Sequence, residues 1–232
     1  VERLHEDRPV PASWRHGSAV HSALEAAYRA HADGPSLAST EPIAIDALRA
    51  AWISEDLPDD PEWRVRSEQL VRSVLANDRL DAHQILGIEH GFRAEMDNGL
   101  RFTGFADLIL RRDANTVEIV DHKITRYARD EDALQVDPQL NLYGWFARRE
   151  WPWAARVLAT HHYPVLDQTV TVELTDSSMA DAVTRLSELA QLAEADTSFA
   201  PHPGPECSNC PWISRCPAHA EDPSPATTGH AA

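Results

Sequence analysis

Lysine is nearly missing from this 232-residue chain: of 21 basic residues one, Lys123, is lysine and the other 20 are arginine. A chain that uses arginine for every other cation marks the one position that keeps a compact ammonium instead of a guanidinium fork. Compositional drift in a GC-rich genome accounts for the arginine excess but does not choose that position. Cysteine is scarce too. All three, Cys207, Cys210 and Cys216, fall in one short segment. An odd number cannot all pair internally, so a disulfide framework is excluded and a ligand cluster becomes worth testing. No apolar run approaches the ~18–20 residues that cross a bilayer, and Val1-Glu2-Arg3-Leu4-His5-Glu6 carries no signal-peptide apolar region. A cytoplasmic protein with no membrane role is expected. Positive charge is also short: 37 acidic residues give a net charge of −16, which opposes sequence-independent attraction to a polyphosphate backbone. A nucleic-acid function then requires that the acid lie away from the site, or that divalent cations neutralise carboxylates inside it.

What is present suits one large domain or one domain with a small appendage: 43% of residues are hydrophobic and 25% charged,. Val20, Leu24 and Tyr28 recur at helical spacing and predict a helix over about 16–31, with His21 and Glu25 on one face. Residues 33–63 are rich in proline, serine and acid and read as loops around a short helix near 43–53; a second helix is predicted over 64–80. The period then changes to two. Leu86–Glu95, Leu100–Leu110 and Thr116–Ile124 predict an antiparallel meander, with Asp97-Asn98-Gly99 and Asp113-Ala114-Asn115 as its turns. Asp137-Pro138 starts a helix over about 138–149. Strands near 156–163 and 168–174 follow, then a helix at about 176–194 with Met179, Val183, Leu186, Leu189 and Leu192 as its apolar side. From Glu221 onward a disordered tail is expected.

On the third predicted strand Val117, Ile119, Asp121 and Lys123 alternate to one face, so a carboxylate and an ammonium project side by side. Gly104-Phe105-Ala106-Asp107 on the preceding strand offers a second carboxylate. Two acids and a lysine at a strand end can hold Mg²⁺ or Mn²⁺ and a water; Asp121 and Lys123 can equally be a surface ion pair. The order of the other pieces bears on the choice: Gly17-x-x-x-His21, Ile88-Glu89, Gly104-x-x-Asp107, Asp121-x-Lys123, then Gln139-x-x-x-Tyr143 on one helical face.

In that order these elements resemble the RecB-like branch of the PD-(D/E)xK nuclease superfamily, over about residues 1–217. The resemblance implies an α/β fold with a restriction-endonuclease-like core, a central mixed sheet flanked by helices, and a C-terminal Cys-containing subdomain. The implied boundaries are a nuclease domain over 1–200, with a helical insertion at about 33–80 and a core at about 86–175, then a Cys-rich segment over 201–219 and the tail. It implies that Asp107 and Asp121 ligate a divalent metal, with His21 and the His122 carbonyl completing the shell, and that Lys123 positions or deprotonates water. Gln139 and Tyr143 would support the site or contact the substrate strand, and Glu89 matches a further family acid. The remaining histidines, among them His16, His31, His90, His161 and His162, match no family element and are expected to be structural. Arg126, Arg129, Arg148, Arg149 and Arg156 flank the site and are either phosphate contacts or ordinary solvated residues.

The implied reaction is metal-assisted phosphodiester hydrolysis leaving a 5′-phosphate. The implied substrate is DNA, single-stranded or with a free end, handled alone or with a helicase or recombination partner in recombination, repair, phage replication or CRISPR adaptation. A non-catalytic module of a larger helicase–nuclease and a metal-stapled structural protein are the competing classes. The spacing Cys207-x2-Cys210-x5-Cys216 also closes the iron–sulfur subset of RecB-like nucleases, which implies a 4Fe-4S cluster whose fourth cysteine would precede Val1. Three cysteines and His219 could instead hold tetrahedral Zn²⁺, or the three could be plain buried thiols.

Overall fold

The computed structural model describes residues 10–77, 80–95, 99, 101–210 and 212–220. It divides into two units, Pro11–Gln191 and a smaller one made of Val1–Val10 with Leu192–Ala232.

The larger unit opens with helices α1 (Ala12–Ala32), α2 (Glu41–Ser54) and α3 (Pro61–Asn77). Strands β1 (Ile85–Glu95), β2 (Arg101–Arg111) and β3 (Thr116–His122) follow. A one-turn helix, α4 (Glu131–Gln135), and α5 (Pro138–Glu150) then carry the chain to β4 (Arg156–Tyr163), β5 (Gln168–Leu174) and α6 (Asp176–Ala195). The five strands form one sheet in the order β1-β2-β3-β4-β5. β1, β2 and β3 are the antiparallel meander; β3 and β4 are parallel, and β5 returns antiparallel to β4. Parallel neighbours need a long crossover, which α4 and α5 supply. The α/β fold with a mixed, helix-flanked sheet expected from the sequence is thus present.

The sheet is covered on both faces. Val20, Leu24 and Tyr28 of α1, with Leu48 of α2 and Val71 of α3, pack on Leu108, Leu110 and Val120. On the other face Leu140, Phe146 and Ala147 of α5 pack on Ile109, Val117, Ile119 and Ala159. Every residue of β3 is buried, as a central strand covered on both sides requires. That burial is why Asp121 lies 5% exposed.

Local signals place the ends. The Asp137 carboxylate accepts from Leu140 N–H at 3.0 Å, capping α5 with Pro138 in its first turn,. Asp113 accepts from Asn115 N–H at 2.8 Å in the turn before β3,. Most of the other expected turn, Asp97-Asn98-Gly99, and the expected disordered tail lie outside the described residues.

The apolar side of α6 is only partly covered. Of the apolar side read on α6 only Met179 is buried, while Leu189 is exposed. Met179 sits against Gly144 of α5, and beyond that first turn the stripe enters no core cluster among the described residues. Periodicity reports that a face is apolar, not that something covers it. No described helix is long and apolar enough to cross a membrane.

The smaller unit holds short helical turns at Pro205–Asn209, Ile213–Arg215 and Pro217–Ala220. Its three cysteines are half-buried free thiols.

Candidate active site

Four elements of the larger unit meet at the site. β2 supplies Asp107, β3 supplies Asp121, and Lys123 follows at the end of β3, its backbone N–H bonded to the His162 carbonyl at 2.8 Å. α1 lays His21 over these strands. The His21 ring contacts the His122 carbonyl through Nε2 at 2.7 Å, and its Nδ1 stands 3.4 Å from Asp107 Oδ2. The same Asp107 oxygen accepts the His122 N–H at 2.7 Å. One imidazole, one carboxylate and one backbone carbonyl are therefore already interlocked.

β1 adds the acid to which the family resemblance attached no role. Ligand atoms of His21, Glu89 and Asp107 all lie within 4.8 Å of one another. Glu89 has φ +46°, a left-handed conformation that costs a non-glycine residue about 1–3 kcal/mol and clusters at functional sites. It follows a register slip between Ile85 and Gly87, the kind of bulge that re-aims a side chain. Glycines at 87 and 91 within an otherwise regular strand were the available sequence signal.

Asp121 is turned toward Lys123. Its Oδ2 lies 2.7 Å from Lys123 Nζ. The ammonium also donates to Gln139 Oε1 at 3.3 Å, and Gln139 Nε2 donates to the Tyr143 hydroxyl at 3.1 Å. The helical pair Gln139 and Tyr143 is thereby joined to the lysine through side-chain contacts.

Two histidines expected to be structural border the site instead. β4 pairs with β3 so that His161 faces Asp121 and His162 faces His122. His161 Nε2 is 3.7 Å from Asp121 Oδ2, and His162 Nδ1 is 2.9 Å from His122 Nδ1. Nothing local in the sequence announces this, because it depends on a pairing across a 40-residue separation. Other histidines do have plain structural roles: His16 bonds Ser67 at 2.7 Å, His31 bonds the carbonyls of Pro35 and Leu80 at 2.7 and 3.0 Å, and His90 pairs with Glu150. The flanking arginines are largely committed. Arg129 pairs with Asp137, Arg148 with Asp176 and Arg156 with Glu173, while Arg149 lies over the Trp145 ring; Arg126 is exposed.

The electrostatics are those of crowded carboxylates. Burial pushes the Asp121 carboxyl up to about 6, against the Lys123 ammonium and with the help of the Asp107 charge. Burial would also raise Asp107, but the His21 ring and the His122 N–H outweigh it and hold that carboxyl below the ordinary value. Glu89 is raised by burial and by the charges of Asp107 and Glu25. His21 is raised because its bond to Asp107 exceeds the cost of its burial. Such a cluster is costly unless a cation shares it. The carboxylates of Glu89 and Asp107, the His21 imidazole and the neighbouring His122 carbonyl suit a hard divalent ion such as Mg²⁺ or Mn²⁺; Asp121 lies outside that 4.8 Å group, against Lys123.

The site opens on a cleft of about 720 Å³ lined by Trp14, Gly17, Ser18, Phe105 and Thr125 around His21, Glu89, Asp107 and Lys123. The sequence matches the model of the PD-(D/E)XK nuclease superfamily over residues 1–217. The chain belongs to this superfamily. Members of the superfamily generally use divalent metal ions, in keeping with the donor set. Among solved structures, one described as "Putative exonuclease" from Eubacterium rectale is 10% identical, with 98% of this chain and 79% of that chain covered and a TM-score of 0.51. That is a likeness of fold. SSO0001 is 17% identical, with 94% and 90% covered and a TM-score of 0.40. Comparison with curated proteins finds no significant match.

The cysteine segment lies in the smaller unit. Among the described residues Cys207, Cys210, Cys216 and His219 do not gather into a set of ligand atoms within 4.8 Å.

Proposed function

We propose that the chain is a metal-dependent DNA nuclease of the RecB-like type, an exonuclease that hydrolyses phosphodiester bonds from a strand end in recombination, repair or phage- and CRISPR-linked processing. The observation that supports this most directly is the gathering of His21, Glu89 and Asp107 within 4.8 Å beside the Asp121–Lys123 pair. A binding module has no need of such mutually repelling carboxylates. His21, Glu89, Asp107, Asp121 and the His122 carbonyl would hold the cation. When bound, it supplies charge for the transition state and a water of lowered pKa. Lys123 is steadied by Asp121 and Gln139 and has a third N–H with which to orient the attacking water or a phosphate oxygen. Tyr143 steadies Gln139 in turn. The cleft beside these groups leaves room for a strand.

The test is cleavage of end-labelled single- and double-stranded DNA with Mg²⁺, Mn²⁺ or EDTA, comparing the parent chain with Asp121→Ala and Lys123→Ala. Metal-dependent cleavage, lost by at least ~100-fold in both variants, is expected. Binding without cleavage in the parent would select a non-catalytic module, and cleavage surviving in both variants would remove these residues from the chemistry.

A further inference from the structure

His161 sits at the fully covered centre of the sheet, 1% exposed, and so does Tyr163, two residues on along the same strand face. A buried imidazole needs a reason for both of its nitrogens. One is clear: Nδ1 lies 3.0 Å from the Tyr163 hydroxyl. That hydroxyl already accepts the backbone N–H of Arg129 at 3.0 Å. A backbone N–H can only donate, so the single proton of Tyr163 is free to turn to His161 Nδ1. When that proton turns to Nδ1, the ring carries its own hydrogen on Nε2.

The other nitrogen has a single place to go. Among the described residues neither His161 Nε2 nor Asp121 Oδ2 closes a hydrogen bond of normal geometry, and they stand 3.7 Å apart across the β3–β4 ladder, where Asp121 and His161 are paired. Lys123 Nζ reaches the same Oδ2 from the solvent side at 2.7 Å. Two donors thus address Oδ2, and Oδ1 is the oxygen that neither of them addresses. A carboxylate held on one oxygen by groups outside the coordination shell is the usual way a metal ligand is oriented.

We infer that His161, fixed by Tyr163, is the positioning residue for Asp121: its Nε2–H holds the Oδ2 edge of that carboxylate and leaves the other edge for a cation. The inference rests on the reading of the site as a divalent-metal centre. It makes Tyr163, His161 and Asp121 one chain running from the Arg129 backbone to the metal. The role calls for a directed N–H and not merely for a ring of the right volume.

The test is Mn²⁺ affinity of the full chain, by calorimetry or by the loss of the free-ion electron paramagnetic signal, with folding followed by circular dichroism. His161→Leu is expected to weaken Mn²⁺ binding by ~10- to 100-fold. His161→Gln, whose amide N–H can occupy the Nε2 position, should stay within about threefold of the parent. Tyr163→Phe, which keeps the ring and removes the hydroxyl, should weaken binding by ~3- to 10-fold. Parent-like affinity in a folded His161→Leu chain, or the same loss in His161→Gln as in His161→Leu, overturns the inference. Should His161→Leu not fold, the other two variants decide it, and parent-like affinity in Tyr163→Phe overturns it. Asp107→Asn is the control: Mn²⁺ affinity unchanged there would sink the metal centre itself, whereas loss there with no change in His161→Leu sinks only the role of His161.

Discussion

Asp107 and Asp121 belong to neighbouring strands, yet their acidities move in opposite directions, and this sets how the metal-free protein responds to pH. The unfolded chain releases the Asp121 proton near its ordinary 3.8, while the folded chain holds it to about 6. Between those values the native state binds more protons, so this residue costs stability as the pH rises from about 4 to 6. Asp107 works the other way: held below its ordinary value by His21 and His122, it contributes stability that is lost as the pH falls through its folded value. In EDTA at pH 7.5, Asp121→Asn is therefore expected to melt about 3–8 °C above the parent, and that advantage should vanish near pH 4. Mn²⁺ at about 100 times its dissociation constant should add about 2.7 kcal/mol to the parent and clearly less to the variant. Thermal melts at the two pH values, with and without Mn²⁺, decide this; an unchanged melting temperature at pH 7.5 would mean Asp121 is not held in a costly state.

Between elements, the contact that matters most for the site is the one α5 makes with β2. Gly104 lies three residues before Asp107, and a Cβ there would stand 2.7 Å from Tyr143 Cε1 and 3.3 Å from its hydroxyl. The Tyr143 ring is buried and packs 5.7 Å from Phe92, so it has little room to yield. Gly104→Ala should cost about 1–3 kcal/mol in a denaturant titration and lower cleavage through Tyr143, Gln139 and Lys123. Gly91→Ala is the matched control, since its Cβ would meet the ring of Phe105 at 3.2 Å, an exposed side chain that can move; there the change should stay within about 0.5 kcal/mol. Equal losses in the two variants would show that strand glycines matter here only as glycines. The same elements show what local pattern can and cannot tell. Alternation along β3 put Asp121 and Lys123 on one face, and helical spacing put Gln139 with Tyr143, because each is a relation within one element. Glu89 depends on a left-handed residue after a bulge, and His161 on the parallel pairing of β3 with β4; both are relations that no periodicity encodes. α6 differs in the opposite sense: its apolar stripe is legible, but among the described residues Val183 and Leu186 are only half-buried and Leu189 and Leu192 exposed.

A molecule of net charge −16 cannot hold a polyanion by general attraction, and many of its described arginines are paired with its own acids. Arg49 and Arg72 clamp Glu68 between α2 and α3, Arg29 pairs with Glu25, and Arg112 with Glu118. What the cleft offers instead is exposed aromatic surface beside the carboxylates: Trp14 is 61% and Phe105 64% exposed, and both line the cleft. Phe105 shares the alternation of Asp107 on β2, and Trp14 precedes His21 by about two helical turns, so both rings line the cleft that holds His21, Glu89 and Asp107. Bases of a single strand stack on such rings whatever their sequence, each contact being worth about 1–3 kcal/mol. Recognition led by stacking releases few counterions, and the logarithm of affinity then falls with slope about −0.7 for each phosphate neutralised. For the Lys123→Ala chain with an end-labelled single strand in Ca²⁺, we expect a slope no steeper than about −2. Trp14→Ala and Phe105→Ala should each weaken that binding by about 5- to 100-fold with the slope unchanged. A slope steeper than about −4, or affinity untouched in both variants, would mean that phosphate contacts hold the strand and that these rings do not.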